Sequence, residues 1–402
     1  MDTKAGVGYS ELFDSYLAGK ECASESIKNL DGRQVSIAII FTTVRHDPEL
    51  FQKGIKEIIG TDTPLIGGYS VGIITNKNLG YDGYQAGILC MCSTTIRTDS
   101  IIEHHLSANE YECGRKIVQQ LKAQKYEGHP FMFLCYDSVD RSSGKLRMNM
   151  ATPFCKALNE EIDCSTFPIF GAGLTGDMMF RPTKQWLNND IYQNTAWGLV
   201  FSGAARIDSV IMHGCEPASD YHTVTKANGT QILEIDHIPA VDFVQGLLGE
   251  SLSFQDYGFF LTISMNRGKK YSKFDPEAFS NRMCVNVNKE TKAIIMVEPD
   301  IVEGTEIIFM RRSVDFEYIR QSATELLESI MKQGRTPRFA FYIDCAGRAA
   351  HYYGSDIEDA SILQKTLKDI PLFGFYSGVE IALQNGKAEP LDWTGVLHVI
   401  SE

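Results

Sequence analysis

The chain has 402 residues, of which 44% are hydrophobic and 22% charged, a balance typical of globular proteins, and its length predicts two domains. Its formal net charge of −13 argues against a nucleic-acid groove and against docking on anionic lipid, because both depend on clustered Lys and Arg. The first thirteen residues are polar and acidic and no long apolar run occurs, so we expect a cytoplasmic protein without direct membrane insertion.

A short apolar run at residues 36–41 begins the first predicted unit, because such runs are typical of strands buried on both faces. A stretch with apolar residues at helical spacing follows, and then a glycine-rich turn that begins with proline and two apolar residues. The turn occurs three times, at residues 64–72, 168–176 and 371–378, each time between similar neighbours. We therefore predict an α/β fold built from repeated strand, helix, strand, turn and strand units, with mixed sheets covered by helices.

A region with a different sequence pattern separates the second and third copies of the turn. Short strands with turn residues between them are predicted at residues 208–213, 221–225 and 231–235, and Asn228-Gly229 is a hairpin signal. A degenerate fourth unit is predicted to begin with the apolar run at residues 259–264, ahead of the third clear copy. We expect two facing lobes, residues 1–205 and residues 206–402, each with two units.

Residues 171–176 match the dinucleotide-binding pattern G-x-G-x-x-G letter for letter. That site requires a helix to begin at the glycines, so that its N-terminal amides meet the pyrophosphate. Pro182 would end such a helix within two turns, and the other two copies do not keep three glycines. We therefore predict that these glycines serve a bulge or a close backbone approach in a bent strand.

Three features together resemble the FIST domain family, in both its N-terminal and its C-terminal parts. They are the repeated P-[LI]-x-G-x-x-[ST]-x-G turns, the stretch at residues 224–236 followed by Pro239-Ala, and a terminal block with residues 345–348 and 374–380. The resemblance spans about residues 35–400, and its C-terminal block is the more specific part.

The resemblance implies a cytoplasmic sensory module that binds a small ligand, such as an amino acid or another small anionic metabolite. Because the similar region occupies nearly the whole chain, we expect output through a separate signalling protein such as a kinase or a cyclase. Some relatives bind haem and respond to nitric oxide, and a eukaryotic relative joins the module to an F-box.

Polar residues follow the three leading strands at their carboxyl ends, where ligands gather in sheets of this kind. In chain order these residues are Arg45, Asp137, Asp344, Cys345 and Arg348. Arg348 is the strongest predicted ligand-binding residue, because a planar guanidinium suits a carboxylate or a phosphate. The alternative is that Arg348 only pairs with Asp344 or Glu358 and that Cys345 is an inert core thiol.

The glycine turns add three further candidates. Asp177 and Glu380 follow the second glycine of their turns and could bind a ligand amine, or they could be solvated turn residues. Tyr376 lies inside the third turn and could offer its phenol to the same pocket or simply pack.

Two rival functions belong to other classes. Cys345 could be the nucleophile of a group-transfer enzyme with Arg348 holding an anionic substrate, and the nearest base in the sequence is then His351. The protein could also be an interaction scaffold without a ligand.

No cofactor or metal is predicted from the residues themselves. The ten cysteines are scattered singly, with no Cys-x-x-Cys pair and no His/Cys cluster at zinc spacing, as expected for reduced thiols. Haem would need an axial histidine, but none of the nine histidines lies in a haem motif, so haem binding follows only from the relatives.

Overall fold

The computed structural model describes residues 3–249, 261–269, 278–313 and 315–402. Its α-helices are α1 (Ser15–Ser26), α2 (Pro48–Ile59), α3 (Glu110–Lys122), α4 (Ala151–Glu161), α5 (Ala240–Leu248), α6 (Glu317–Lys332), α7 (Ala350–Tyr353) and α8 (Asp359–Leu367). Within the described ranges, none of these helices combines the length and apolar character needed to cross a bilayer. The mixed α/β class predicted from the sequence is confirmed.

The first sheet is built around the first predicted strand. The first segment of the chain forms β1 (Lys4–Ser10), β2 (Ile37–Thr42), β3 (Leu65–Tyr69), β4 (Gly72–Thr75), β5 (Leu79–Tyr81) and β6 (Ala86–Cys92). Of these strands, β4 and β5 pair outside the first sheet. Strand β2 pairs in parallel with β3 and antiparallel with β6, whose other side pairs with β1. The strand β1 and the helix α1, which the sequence analysis does not predict, precede the predicted unit.

The second sheet repeats this pairing. Its segment contains β7 (Ile96–His104), β8 (Phe131–Asp137), β9 (Val139–Asp140), β10 (Arg147–Met148), β11 (Ile169–Leu174), β12 (Gln185–Leu187), β13 (Asp190–Tyr192) and β14 (Thr195–Gly203). Strand β8 pairs in parallel with β11 and antiparallel with β14, and β7 lies on the other side of β14.

A closed antiparallel barrel follows. After β15 (Arg206–Met212) come β16 (Cys215–Pro217), β17 (His222–Asn228), β18 (Gln231–Ile235), β19 (Ile238–Pro239), β20 (Thr262–Asn266), β21 (Phe279–Asn288), β22 (Ala293–Met296) and β23 (Glu306–Arg312). The ring runs β20, β21, β22, β18, β17, β23 and back to β20. We call these six strands with α5 the barrel, and Asn228-Gly229 forms its predicted hairpin between β17 and β18.

The predicted fourth repeat unit is wrong. Its leading strand corresponds to β20, which pairs antiparallel with both β21 and β23 and so belongs to the barrel. A repeat unit would need a parallel partner beside this strand, as β3 and β11 supply for β2 and β8. Residues 259 and 260 of the predicted strand lie outside the described residues.

The third sheet closes the chain. Its strands are β24 (Pro337–Cys345), β25 (Leu372–Ser377), β26 (Val379–Gln384), β27 (Lys387–Leu391) and β28 (Gly395–Ser401). Strand β24 pairs in parallel with β25 and antiparallel with β28, and β15 takes the place beside β28 that β1 and β7 hold in the other sheets. The barrel is therefore an insertion between the first and second strands of the third unit.

Each unit gives its hairpin to another unit's sheet. The hairpin β12–β13 pairs with β3 of the first sheet, β26–β27 pairs with β11 of the second, and β4–β5 pairs with β25 of the third. Strands from both predicted lobes therefore occur within single sheets. We call the three sheets and their helices the three-unit body.

Aromatic side chains from the inner faces of the three sheets form one core. The Phe41 ring stacks on Phe375 with centroids 3.9 Å apart, and Phe133 stacks on Phe341 at 5.0 Å. The outer faces are covered by helix pairs, α1 and α2 on the first sheet, α3 and α4 on the second, α6 and α8 on the third. The leading strands are continuous apolar runs in the sequence because both faces of each sheet are covered.

The glycines of the repeated turns allow close backbone approach, as predicted. A Cβ atom at Gly171 would overlap the carbonyl oxygen of Leu134 on the neighbouring strand. Gly67 and Gly374 make the equivalent approach to Ile40 and Tyr342. Residues 175–184 contain no helix, so the dinucleotide-binding reading of residues 171–176 fails here.

Candidate functional site

The carboxyl ends of the leading strands lie at one edge of the three-unit body, where the turns of the units meet. The Val71 N–H donates to the Tyr376 carbonyl at 3.2 Å, and the Gly378 N–H donates to the Gly173 carbonyl at 2.9 Å. These bonds join the first turn to the third and the third to the second. The predicted site residues are therefore distributed around one junction between all three units.

Arg348 lies deep in this junction, directly after β24, and is only 1% exposed. Its guanidinium donates to Asp344 Oδ1 at 2.9 Å, to the His213 carbonyl at 2.7 Å and to Asp359. The alternative prediction paired Arg348 with Asp344 or Glu358. In the structure Asp344 is a partner, and the other is Asp359, the first residue of α8, in place of Glu358. Because both carboxylates are buried beside it, Arg348 is held within the protein and does not stand at a pocket mouth.

Cys345 and Glu380 are also buried. Burial, and then the nearby carboxyl of Glu380, raise the pKa of the Cys345 thiol. A nucleophile needs the opposite shift, and the predicted base His351 is exposed on the short helix α7 with its ring against Tyr352. The surroundings of Cys345 therefore resemble those of a core thiol.

Glu380 lies on β26 and is fully buried, so it is not a solvated turn residue. Ser377 Oγ donates to Glu380 Oε1 at 2.8 Å, while Glu380 Oε2 has no hydrogen-bond partner within the described part of the chain. Burial raises the pKa of this carboxyl well above its ordinary value.

Two further buried carboxyls, Glu298 and Asp392, lie at the contact between the barrel and the three-unit body. Burial raises the pKa of Glu298 to about 7 and of Asp392 to about 6, and it raises that of Asp344 beside Arg348 to about 7. Glu298 accepts the N–H groups of Ala151 and Thr152 at 2.9 Å each, at the first turn of α4. Neither Glu298 nor Asp392 is predicted from the sequence, because nothing in their local sequence distinguishes them from exposed loop acids.

Tyr376 packs inside the fold. Its hydroxyl donates to Glu358 Oε2 at 2.9 Å, and the Tyr81 hydroxyl donates to Glu358 Oε1 at 2.7 Å. Glu358 also accepts the Ala350 N–H at 3.0 Å. This carboxylate joins the first unit's hairpin to the third unit, and Tyr376 is one of its fixed partners.

Asp137 at the end of β8 is fully buried and organises the loop that leads to β12 and β14. It accepts hydrogen bonds from the Thr183 hydroxyl and from the Thr195 N–H, the latter at 3.2 Å. Burial raises its pKa to about 6. Its ligand role stays a prediction.

Arg45 and Asp177 come together at a cleft of about 270 Å³ at the same edge. Arg45 Nε donates to the Asp82 carbonyl at 2.9 Å. Asp177 pairs with Arg181 at 2.7 Å and accepts the Met179 N–H at 3.0 Å. The cleft is small, and of its charged groups Asp177 and Arg181 already bind one another.

A larger cavity, about 610 Å³, lies between the barrel and the third unit. We call it the barrel cavity. Its walls are mostly apolar side chains from α5, β23 and the start of α6, and its polar lining includes Arg311, Arg312, Ser313 and Ser355. The apolar lining includes Val244, Leu247, Leu248, Leu261, Phe309, Phe316 and Trp393. The volume and the mostly apolar lining of the barrel cavity are typical of small-molecule binding sites.

Arg312 is the cation on the wall of the barrel cavity. Its NH2 group donates to Asp359 Oδ1 at 2.9 Å and Oδ2 at 3.2 Å. The guanidinium carbon lies 5.7 Å from the Phe316 ring centroid and 5.9 Å from that of Trp393, within cation–π range. Arg312 is not among the residues predicted from the sequence, since a basic residue at a strand end carries no motif.

Arg348 reaches the cavity only indirectly. Asp359 is completely buried and bridges Arg348 to Arg312, whose side chain is 15% exposed. A carboxylate fixed from one side by Arg348 can hold Arg312 in one orientation on the other side. Arg348 is in this arrangement a positioning residue for Arg312.

The described lining residues of the barrel cavity do not offer haem a complete set of ligands. Among the described lining residues there is no histidine, cysteine or tyrosine, and Met310 is the one axial-ligand type present. The buried His398 lies elsewhere, hydrogen-bonded through Nδ1 to Ser209 at 2.7 Å. We therefore derive no step through haem.

Two family models match consecutive parts of the chain. Residues 36–238 match the model of the FIST N domain, and residues 240–383 match that of the FIST C domain. The match changes at residue 239, inside the barrel, whereas the predicted boundary at residues 205 and 206 falls before β15.

Curated relatives share the sequence at low identity. An uncharacterised protein of Methanocaldococcus jannaschii is 24% identical over 310 residues, 72% of this chain and 57% of that protein. An uncharacterised protein of Mycobacterium tuberculosis is 23% identical over 253 residues, 60% of this chain and 64% of that protein. The matched region thus spans about three fifths of the length of these relatives.

Among solved structures, a cyanuric acid hydrolase from A. caulinodans matches at 9% identity and a TM-score of 0.28. The match covers 50% of this chain and 71% of that one. A score this low carries no argument about fold or function.

Proposed function

Because the chain belongs to the FIST family through both its FIST N and FIST C domains, we propose that it is a sensor that binds a small anionic metabolite in the barrel cavity. FIST domains are known as small-ligand-binding sensory domains in signalling proteins. The observation that carries the proposal is the position of Arg312, a fixed cation on the wall of a mostly apolar cavity of about 610 Å³.

The cavity supplies the two components that a small-ligand site needs. Apolar walls exclude water and bind the body of the ligand, and a guanidinium held by Asp359 binds its anionic group without first having to be ordered. Both Arg348 and Asp359 are buried, so this orientation is maintained when the cavity is empty.

The signal would leave through the segment around α8. Asp359, at the start of α8, contacts Arg312, while the preceding residue Glu358 binds Tyr81 of the first unit and Tyr376 of the third. A ligand that draws Arg312 away from Asp359 would therefore alter contacts between units. The receiver is proposed to be a separate signalling protein, such as a kinase or a cyclase.

A cytoplasmic location is part of the proposal. All ten cysteines are buried free thiols, as expected in a reducing compartment.

The test is a thermal-shift screen of the protein against anionic metabolites, followed by calorimetry of each hit on Arg312→Met. We expect binding to weaken by about 1.5 to 3 kcal/mol, the worth of a charge-assisted hydrogen bond. Arg45→Met, at the smaller cleft, is the matched control and should leave the dissociation constant unchanged. If Arg45→Met abolishes binding and Arg312→Met does not, the ligand site is the cleft and the proposal for the barrel cavity fails.

A further inference from the structure

The walls of the barrel cavity suit a larger apolar group than a small polar metabolite carries. Leu247 and Leu248 line it from α5, Phe309 from β23 and Trp393 from the loop before β28. Burial of apolar surface is favourable in proportion to area, so the body of a bound molecule adds affinity with each methylene that it buries.

The charged side chains among the described lining residues have one sign. They are Arg311 and Arg312, with no Asp or Glu beside them in that lining. Each arginine has a carboxylate partner outside the lining, the buried Asp359 at 2.9 Å for Arg312 and Glu216 at 3.2 Å for Arg311. An incoming carboxylate would therefore meet guanidinium groups and aromatic rings.

An α-amino acid is a poor match to this arrangement. Its ammonium group is attached one carbon from the carboxylate, so a carboxylate bound to Arg312 would hold the ammonium close to the guanidinium. Like charges repel at that distance, and the apolar walls remove the water that would screen them. The ammonium would lose hydration without gaining a carboxylate partner from the described lining residues.

We infer that the ligand of the barrel cavity is a hydrophobic monocarboxylate, an alkyl or aryl carboxylic acid without an α-ammonium group. This inference rests on the proposed function, since it names the chemical class that the same site takes. The carboxylate binds Arg312, and the apolar body lies against Leu247, Phe309 and Trp393.

The experiment compares pairs of molecules that differ only in the ammonium group. Calorimetry on the full chain would use 3-phenylpropanoate against phenylalanine and 4-methylpentanoate against leucine. We expect each carboxylate to bind at least tenfold tighter than its amino acid. Across hexanoate, heptanoate and octanoate, affinity should rise roughly fourfold per added methylene.

Two variants locate the binding. Arg312→Met should weaken 3-phenylpropanoate binding by at least tenfold while leaving the weak binding of uncharged 3-phenylpropanamide unchanged. Leu247→Trp, at a side chain that is 46% exposed, fills part of the cavity without disturbing the core and should also weaken the carboxylate.

The outcomes separate the two proposals. If phenylalanine binds as tightly as 3-phenylpropanoate and still depends on Arg312, the inference of an ammonium-free ligand is overturned and the sensor proposal stands. If other anions but no hydrophobic carboxylate bind through Arg312, the inference of a hydrophobic monocarboxylate is likewise overturned and the sensor proposal stands. If no anion depends on Arg312, both proposals are overturned.

Discussion

The three-unit body and the barrel use their arginines in different ways. In the three-unit body, Arg348 is enclosed by Asp344, Asp359 and two backbone carbonyls and is 1% exposed. At the end of the barrel strand β23, Arg312 shares Asp359 but stays 15% exposed on a cavity wall.

The difference follows from how the two regions pack. The repeated units bring their strand ends together and bury their polar groups against one another, whereas the barrel meets the third unit along an incompletely filled contact. Of these two arginines, Arg312 lines a cavity and Arg348 does not.

The largest expected effect is that of removing the buried arginine. Arg348→Met leaves Asp344 without its buried cation and should lower the free energy of unfolding by about 3 to 5 kcal/mol, measured by urea denaturation. Arg312→Met should lower the free energy of unfolding much less, because Asp359 remains paired with the buried Arg348. Equal losses in the two variants would mean that the two arginines are not used differently.

A glycine exchange compares the two regions directly. Gly171→Ala places a Cβ on the Leu134 carbonyl and should cost about 3 kcal/mol or more, since the backbone must move. Gly229→Ala, in the barrel hairpin, has φ +56° with open space around it and should cost about 1 to 2 kcal/mol from backbone conformation alone. Denaturation midpoints of the two variants would check this, and a tolerated Gly171→Ala would disprove the close approach.

The smallest expected effect is a pH dependence at the contact between the two regions. Asp392 accepts the Met283 N–H from barrel strand β21 at 3.0 Å, and burial raises its pKa to about 6. The folded protein then keeps a proton that the unfolded chain releases between pH 4 and 6, so this group lowers the free energy of unfolding as the pH rises through that window.

Asp392→Asn should remove that contribution, which is at most about 3 kcal/mol. Denaturation at several pH values between 4 and 7 would measure it, with the exposed Asp62→Asn as the control that leaves the slope unchanged. A slope that Asp392→Asn does not flatten would place the proton elsewhere, for instance on Glu298.

Local patterns predicted the elements of the three units well. The run at residues 36–41 became β2, and β8 and β24 are the corresponding strands of the other two units, because strands covered on both faces must be mostly apolar. Strand β1 was missed, since its sequence of small residues with Gly6 and Gly8 has no such run. Those glycines let helix α1 approach the strand, a demand that only the packed structure reveals.

The candidate site was predicted only in part. Arg348, Cys345 and Glu380 do cluster, but as buried groups, and Arg45 and Asp177 meet at a separate cleft. Burial of a polar residue depends on what the distant chain places over it. For Arg348 that cover comes from the His213 carbonyl, 135 residues away in the sequence.

The sequence by itself determined the α/β class, the recurrence of one unit and the structural role of its glycines, because these follow from short-range periodicity and from the space that a side chain needs. Tertiary structure alone decided the exchange of hairpins between sheets, the insertion of a barrel and the choice of Arg312 over Arg348 as the cation beside a cavity. Those features depend on pairings between segments far apart in the chain, and hydrophobic patterning does not specify which of several apolar faces will meet.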